Sequence, residues 1–533
     1  MTTTDAPPRP TSAPKRGIHH QPPSMRVLAV KLLLLALVDA VAVFAMSILF
    51  FRGDYVVAAI VLLVTIVVNW VYLSPGLLPA KYLTPGLLFL GIFQVFVIVY
   101  TLYIAFTNYG DGHNSTKDDA ISSIVLQNTQ RVEGSPVYQV QVVESLAGLG
   151  LLATSPEGDV LVGTAEQPLE PVAEGDITRE GPRATAAAGW TSLGMQDILQ
   201  RQQEIAALQV PLSDDLADGF LRTTNATQAF VFESTFVYDE AADTMTDSAT
   251  GTVYRDLGNG QFETEDGRSL GTGWQILVGF DNFLYPFENP RYGGALVSVL
   301  LWTFAFAILS VGLSFFLGLF LAIALNDARM RSKQVYRVLS ILPYAFPSFL
   351  GALVWLGLMN TEFGFLNNVL LGGADVPWLT DPWLAKASMI IVNVWLGFPY
   401  MFLICLGALQ SIPEELTEAA SVDGASGWQI FRGIKFPLLL VSTAPLLISS
   451  FAFNFNNFNI IYMLTAGGPR MQGVDENVGH TDLLITLVYK TAFESGTGRD
   501  YGLASALSIL IFIIVATVST LAFRRTKALE ELN

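Results

Sequence analysis

Eight runs of roughly 20 apolar residues, at 27–51, 55–73, 83–106, 293–325, 339–359, 388–406, 438–464 and 503–523, dominate this chain of 533 residues. Runs of that length are stable in a bilayer, where a helix satisfies every backbone N–H and C=O within itself. A chain that is 52% hydrophobic and only 14% charged is too apolar for a soluble protein of this size. The sequence predicts an α-helical polytopic membrane protein with eight transmembrane helices.

The formal net charge of −17 is unevenly placed. Residues 108–290 carry 28 acidic and 8 basic side chains, a balance of −20, so the rest of the chain is slightly positive. That segment is too polar and too long for a connector, and it reads as an inserted domain facing water. "QAFVFESTFVYDE" alternates apolar and polar residues as a half-buried strand does. "TGTVYRDLGNGQFETEDG" places Asn-Gly and Asp-Gly turn signals between strand-like pieces. "TSLGMQDILQRQQEIAAL" has helical spacing, with Leu193, Ile198 and Ile205 on one side. A mainly β domain with some helix is expected, its acidity a solvated surface.

Orientation follows from the basic residues of the short connections. Lys15, Arg16 and Arg26 precede the first run and Lys81 follows the second. Arg329, Arg331, Lys333 and Arg337 follow the fourth, Arg432 and Lys435 the sixth, and Arg524, Arg525 and Lys527 the last. Every second connection is basic, which predicts both termini in the cytoplasm and the acidic insert outside. The expected organisation is a disordered cytoplasmic tail (1–26), three membrane helices (27–107) and an extracytoplasmic domain (108–292). A five-helix core (293–523) with a cytoplasmic loop at 408–437 follows, then a short cytoplasmic tail (524–533).

Several chemistries are excluded by composition. Cys405 is the single cysteine, so no disulfide forms within the chain, and His19, His20, His113 and His480 show no metal-ligand spacing. No nucleophile arrangement stands out in the insert. The last five apolar runs contain no Asp, Glu, Lys or Arg, whereas ion-coupled carriers need ionisable groups at depth. Asp39, with Lys31 two turns earlier, reads as a tolerated structural charge. The chain has no GxxxxGK[ST] and no Gly-Lys dipeptide, so it cannot cradle ATP phosphates itself. It is expected to be a translocation subunit, not an enzyme, with no cofactor or metal of its own and no nucleic-acid partner.

What the core runs do contain is neutral polar and aromatic residues at helical spacing. "SFAFNFNNFN" places Ser450, Phe453, Asn454 and Asn457 at i, i+3, i+4 and i+7. "NVWLGFPY" repeats that spacing with Asn393, Leu396, Gly397 and Tyr400, and "LPYAFPS" sets Tyr344 and Ser348 one turn apart. A lone Asn or Ser in a membrane helix is accounted for by packing between helices. Three stripes that combine amides with aromatic rings suit a neutral, hydroxyl-rich ligand, whose hydroxyls pair with amides and whose C–H faces lie on rings. A sugar has those properties. Pro343, Pro347 and Pro399 free backbone carbonyls in the same runs, which membrane helices tolerate where protein or a cavity supplies new partners.

Uphill transport without ion coupling requires an ATPase elsewhere, and "EAASVDGASGWQIFRGIKFP" (418–437) offers it a dock. An acid-rich helix precedes Gly424, which permits a reversal, and a second helix carries Trp428, Ile430, Phe431 and Ile434, an apolar set suited to a partner's groove. This stretch resembles the EAA loop of binding-protein-dependent ABC importer permeases: Glu418, Ala419, Ala420, Gly424, Ile434 and Pro437 match, and Phe436 stands where Leu is frequent. The eight runs, the large insert after the third, and "AFTNYG" and "VGFDNF" at its two ends resemble the MalF-type permeases of maltose and maltodextrin importers.

That resemblance implies a sugar site halfway across the bilayer at Tyr344, Ser348, Asn393, Leu396, Gly397, Tyr400, Ser450, Phe453, Asn454 and Asn457. It also implies an ATPase-coupling loop that includes Glu418, Ala419, Ala420, Asp423, Gly424, Phe431, Ile434 and Pro437. The implied partners are a MalG-like second permease subunit, a MalK-like ATPase dimer that uses ATP and Mg, an extracytoplasmic sugar-binding protein, and membrane lipids. A permease for another oligosaccharide or glucoside such as trehalose remains open at this point. A membrane receptor with an external sensing domain would need a cytoplasmic signalling domain, and every cytoplasmic segment is short. A membrane-embedded enzyme lacks any carboxylate pair or His cluster at depth.

Overall fold

A computed structural model describes residues 25–145, 148–181, 183–213, 215, 218–327, 330–494 and 498–530, without the side chains of Val27 and 525–530. The expected disordered tail lies, as far as residue 24, outside the described residues. Among the described residues seven helices are long and apolar enough to span a bilayer, and a bent pair makes an eighth. The chain divides between Val99 and Tyr100 into two compact units.

The first unit holds helices Met25–Phe51 and Tyr55–Leu73 and the start of Leu78–Ile104, in which Gly91–Phe96 forms a π turn. Asp39 has a partner that the sequence reading did not find: Asn69 of the second helix donates Nδ2–H to its carboxylate at 2.7 Å. Hydrogen bonding across the helix pair, not Lys31, accompanies this charge.

In the second unit, the acidic insert folds as two antiparallel sheets of nine and five strands and a two-stranded ribbon. The long pairing of Tyr138–Ser145 with Gly148–Thr154 is central to the larger sheet. The expected helix is two short ones, Met195–Gln200 and Gln202–Ala207, and Leu193, Ile198 and Ile205 do face one core with Val140, Leu151 and Val210. The 228–239 stretch gives two strands, Gln228–Ser234 and Phe236–Asp239, separated by Thr235 and lying in different sheets.

The insert has a built neck. Asn282 donates to the carbonyls of Ala105 and Thr107 at 2.9 and 2.8 Å, and Asn108 exchanges hydrogen bonds with Trp274 and Ile276. Phe106 lies between Phe280 and Phe283, with ring centroids 5.2 and 5.4 Å away. The two short motifs at the ends of the insert therefore meet, which lets 170 or so intervening residues fold as one excursion.

The core is organised by helices Pro290–Asn326 and Pro382–Ser411, which pack along their length through Trp302, Phe306, Phe315 and Leu319 against Met389, Val392, Met401 and Phe402. Two expectations of straight helices are corrected. The fifth span bends by 93° between Lys333–Ala345 and Ser348–Leu358. Pro343 and Pro347 bracket the bend, each lacking an N–H for the helical ladder. The seventh span, Gly427–Thr465, is interrupted after Phe455: Asn456 leaves helical geometry, and Asn457 takes extended backbone (φ −78°, ψ 91°) as the N-cap of Phe458–Thr465. The residues between the seventh and eighth spans include a further apolar helix of ten residues, Leu484–Phe493. The last helix, Tyr501–Glu530, continues through most of the expected tail.

Candidate functional site

Helices Pro290–Asn326, Pro382–Ser411 and Phe436–Phe455, together with the bend of the fifth span, enclose a cavity of about 560 Å³. All ten residues expected to face a ligand line it: Tyr344, Ser348, Asn393, Leu396, Gly397, Tyr400, Ser450, Phe453, Asn454 and Asn457. None of the nineteen lining residues is charged. The bend and the break alter how two of the stripes arrive there. Tyr344 and Ser348 flank a sharp turn instead of sharing a helical face, and Asn457 enters from a cap instead of the seventh turn position.

An amide relay spans the cavity wall. Asn393 donates Nδ2–H to Asn454 Oδ1 at 2.7 Å, and Asn457 donates to Asn393 Oδ1 at 3.2 Å. Asn454 also donates to the Ser450 carbonyl at 2.8 Å, and Asn457 Oδ1 accepts from the Ile460 N–H at 3.4 Å. Each amide has two N–H groups and two lone-pair sites, so these bonds orient the side chains and leave hydrogen-bonding capacity for a ligand. In the same cavity, the rings of Tyr344 and Tyr400 stack at 6.2 Å with 15° between their planes, and Phe453 is 73% exposed. Neutral amides, hydroxyls and aromatic faces in one volume recognise a neutral polyol and offer nothing to counter a charge.

The sequence reading overlooked Ser310 and Ser314 of the fourth span, and Phe346, Ser449 and Asn459. Ser310 and Ser314 are one turn apart in "LSVGLS", the same spacing used for the other stripes, so that signal was present.

The loop at 408–437 has the expected two-helix form in altered detail. Helix Glu414–Val422 ends at Gly424, whose φ of +84° only glycine adopts without strain. Ser426 then caps the next helix, closing a box in which Gln429 accepts from the Ser426 N–H at 2.8 Å. That second helix is no separate element: Gly427–Ile430 continues through a π turn, Phe431–Lys435, into the seventh span. The apolar set assigned to a partner's groove is divided as a result. Ile430 is buried, Ile434 is half-buried, and Phe431 packs on the cluster around Phe402 and Leu439. Glu418, Ala419, Asp423 and Trp428 are exposed, Ala420 is half-buried and Pro437 is exposed. The helix must bury one face against its own core before it can present the other.

Two family models match the chain. Residues 88–166 match the N-terminal part of the transmembrane subunit in PBP-dependent ABC transporters, and residues 314–531 match the binding-protein-dependent transport system inner membrane component. Among similar proteins, the maltose/maltodextrin transport system permease protein MalF of Vibrio vulnificus strain YJ016 is 34% identical over 517 residues, covering 95% of this chain and 96% of that protein. The protein of the same name from Escherichia coli O6:H1 is 32% identical over 519 residues, 94% and 96% of the two chains. A solved bacterial ABC transporter involved in import of the acidic polysaccharide alginate aligns with 47% of this chain and 84% of its own, at 23% identity and a TM-score of 0.41. With a third of its residues identical to these permeases over nearly its whole length, the chain belongs to the MalF family of binding-protein-dependent transport permeases, multi-pass proteins of the membrane.

Proposed function

We propose that this chain is the permease subunit of an ATP-driven importer that carries maltose or maltodextrin through the cavity bounded by Asn393, Tyr400 and Asn454. The observation that carries the reading is the chemistry of that cavity: uncharged, amide-rich, with stacked tyrosines, and within the size range of small-molecule sites. Family membership supports the coarser statement, a sugar-importing permease that works with a binding protein, a second permease and an ATPase. In this reading the partners are MalG-like and MalK-like. ATP and Mg act on the ATPase, and both termini face the cytoplasm with the loop around Glu418. An extracytoplasmic binding protein delivers sugar beside the acidic domain. Exposed Trp428 and Glu418 meet the ATPase, and since the helix of Trp428 runs directly into the seventh span, a displacement there moves Asn454 and Ser450 as a lever. The sugar shifts this alternating-access equilibrium only by binding its states unequally, so the amide relay holds it best in the outward state.

The test is uptake of labelled maltose by the reconstituted four-component transporter, with maltotriose and trehalose as competitors. Competition by maltotriose and not trehalose is expected. Asn454→Leu should lower uptake roughly fivefold to a hundredfold per assembled complex, the worth of about 1–3 kcal/mol for a hydrogen bond lost in a desolvated site. Asn456→Leu, whose amide donates to the Ala452 carbonyl outside the cavity, is the control. Normal uptake per complex with reduced assembly of Asn454→Leu would assign the relay to packing.

A further inference from the structure

Hydroxyls on the membrane helices of this chain are, as a rule, satisfied by their own backbone. Thr303 donates to the Val299 carbonyl at 2.7 Å, Thr443 to Leu439 at 2.8 Å, Ser449 to Pro445 at 2.9 Å and Ser508 to Ala504 at 2.8 Å, each one turn back. Ser310 departs from the rule. It is 1% exposed, its Oγ has no hydrogen-bond partner, and the residue lines the cavity. One turn on, Ser314 is 4% exposed and lines the same cavity. Gly397 on the facing helix leaves room for it: a Cβ there would stand 3.1 Å from Ser314 Oγ.

A buried hydroxyl without a partner is unfavourable, and the i−4 carbonyl that relieves its neighbours is available to any helical serine. An unsatisfied group in a cavity wall is therefore a candidate for a partner that comes and goes. We propose that Ser310 and Ser314 form a hydroxyl subsite on the fourth span that hydrogen-bonds a neutral carbohydrate held in the cavity. This assignment rests on the sugar reading of the cavity. It adds the fourth span to the fifth, sixth and seventh as a wall of the site, supplementing the amides of a relay that already uses part of its own capacity. Serine Oγ is both donor and acceptor, so it pairs with a sugar hydroxyl in either sense. Because the Ser310 oxygen is closed to solvent in this conformation, a change among its staggered χ1 positions presents it to the ligand.

The experiment uses the assembled transporter in nanodiscs, without binding protein, titrated separately with maltose, maltotriose and trehalose while its thermal midpoint is recorded. The unchanged transporter should gain stability with maltose. Ser310→Ala should be as stable as the parent without sugar, or more so, since it removes an unpaired buried hydroxyl. Its titration, and that of Ser314→Ala, should move to about fivefold to hundredfold higher maltose. A titration at the parental concentration for either variant overturns the subsite while leaving the sugar reading intact. A lowered midpoint for Ser310→Ala without sugar also overturns it, because the hydroxyl would then be structural. Failure of the unchanged transporter to respond to any of the three sugars overturns the sugar reading, and the subsite with it.

Discussion

In the acidic β domain several of the side chains that tie the fold together are charged and partly open to water. Lys117 bridges Asp243 and Asp256 at 2.7 Å each, and Arg201 bridges Glu144 and Glu204 at 2.8 Å, with side chains from 19% to 54% exposed. In the permease core many ties are neutral, as in the relay of Asn393, Asn454 and Asn457, and the carboxylates of Glu476 and Glu494 accept from the neutral hydroxyls of Tyr285 and Tyr462. Among the described residues, one ion pair interrupts that pattern. Asp482 and Lys490 meet at 2.8 Å with side chains 0% and 5% exposed, and the carboxylate also accepts from the Gly479 N–H at 2.7 Å and the Thr486 hydroxyl at 2.9 Å. The lesson is one of solvent. Water screens and hydrates an imperfect charge pair, so exposed pairs are cheap to keep and cheap to lose. A buried charge is tolerated only when its partners are complete, and neutral amides avoid that demand.

The contrast can be broken most sharply at Lys490. Lys490→Met leaves the Asp482 carboxylate buried without its counter-charge, which should destabilise the transporter by about 3–5 kcal/mol. The check is the thermal midpoint and yield of assembled complex. Combining it with Asp482→Leu should restore much of the loss, since an apolar pair has no charge to compensate. If Lys490→Met alone leaves the midpoint unchanged, buried and exposed pairs in this chain do not differ.

A smaller effect is expected at Lys117, which also lies 4.9 Å over the Trp274 ring. The hydrogen bond from Lys117 holds the Asp243 carboxyl below its ordinary range. A depressed carboxyl contributes its stabilisation in full at neutral pH and loses it as pH falls below about 4, towards the folded value. Lys117→Met should therefore weaken hydrogen-exchange protection of helix Lys117–Gln127 at pH 7 by less than about tenfold, after discounting for solvent screening. The gap between variant and parent should close in acid; a gap that widens would reverse the sign of this linkage.

Least of all is expected from Arg201→Ala. Its partners are 46% and 54% exposed, so the thermal midpoint should not move measurably at any salt concentration. A loss comparable to that of Lys490→Met would show that this exposed network bears on the fold as the buried pair does.

Residue spacing located most of the cavity because the helices concerned are regular where it matters. Asn393, Leu396, Gly397 and Tyr400 sit on the unbroken helix Pro382–Ser411, and Ser450, Phe453 and Asn454 precede the break after Phe455. The same arithmetic assigned Asn457 to a helical face that ends before reaching it. It also gave Tyr344 and Ser348 a straight helix where the chain turns by 93°. Those residues reach the cavity by geometry that a period of 3.6 does not contain. For the loop at 408–437, spacing identified the apolar residues but not which of them the seventh span claims.

Length, hydropathy and charge distribution by themselves determined the membrane class, the places of the eight apolar spans though not their ends, and the acidic insert between the third and the fourth. Each of those rests on the transfer free energy of a side chain or a run of side chains, which is additive and local to the sequence. Only tertiary structure decided that Asn393 bonds Asn454 across 61 positions, that Asp482 closes on Lys490 between the seventh and eighth spans, and that the Ser310 hydroxyl is left unpaired. Whether a polar group is satisfied depends on which atoms packing brings within about 3 Å of it, and that is a property of the folded arrangement of helices, not of the residue or its neighbours in sequence.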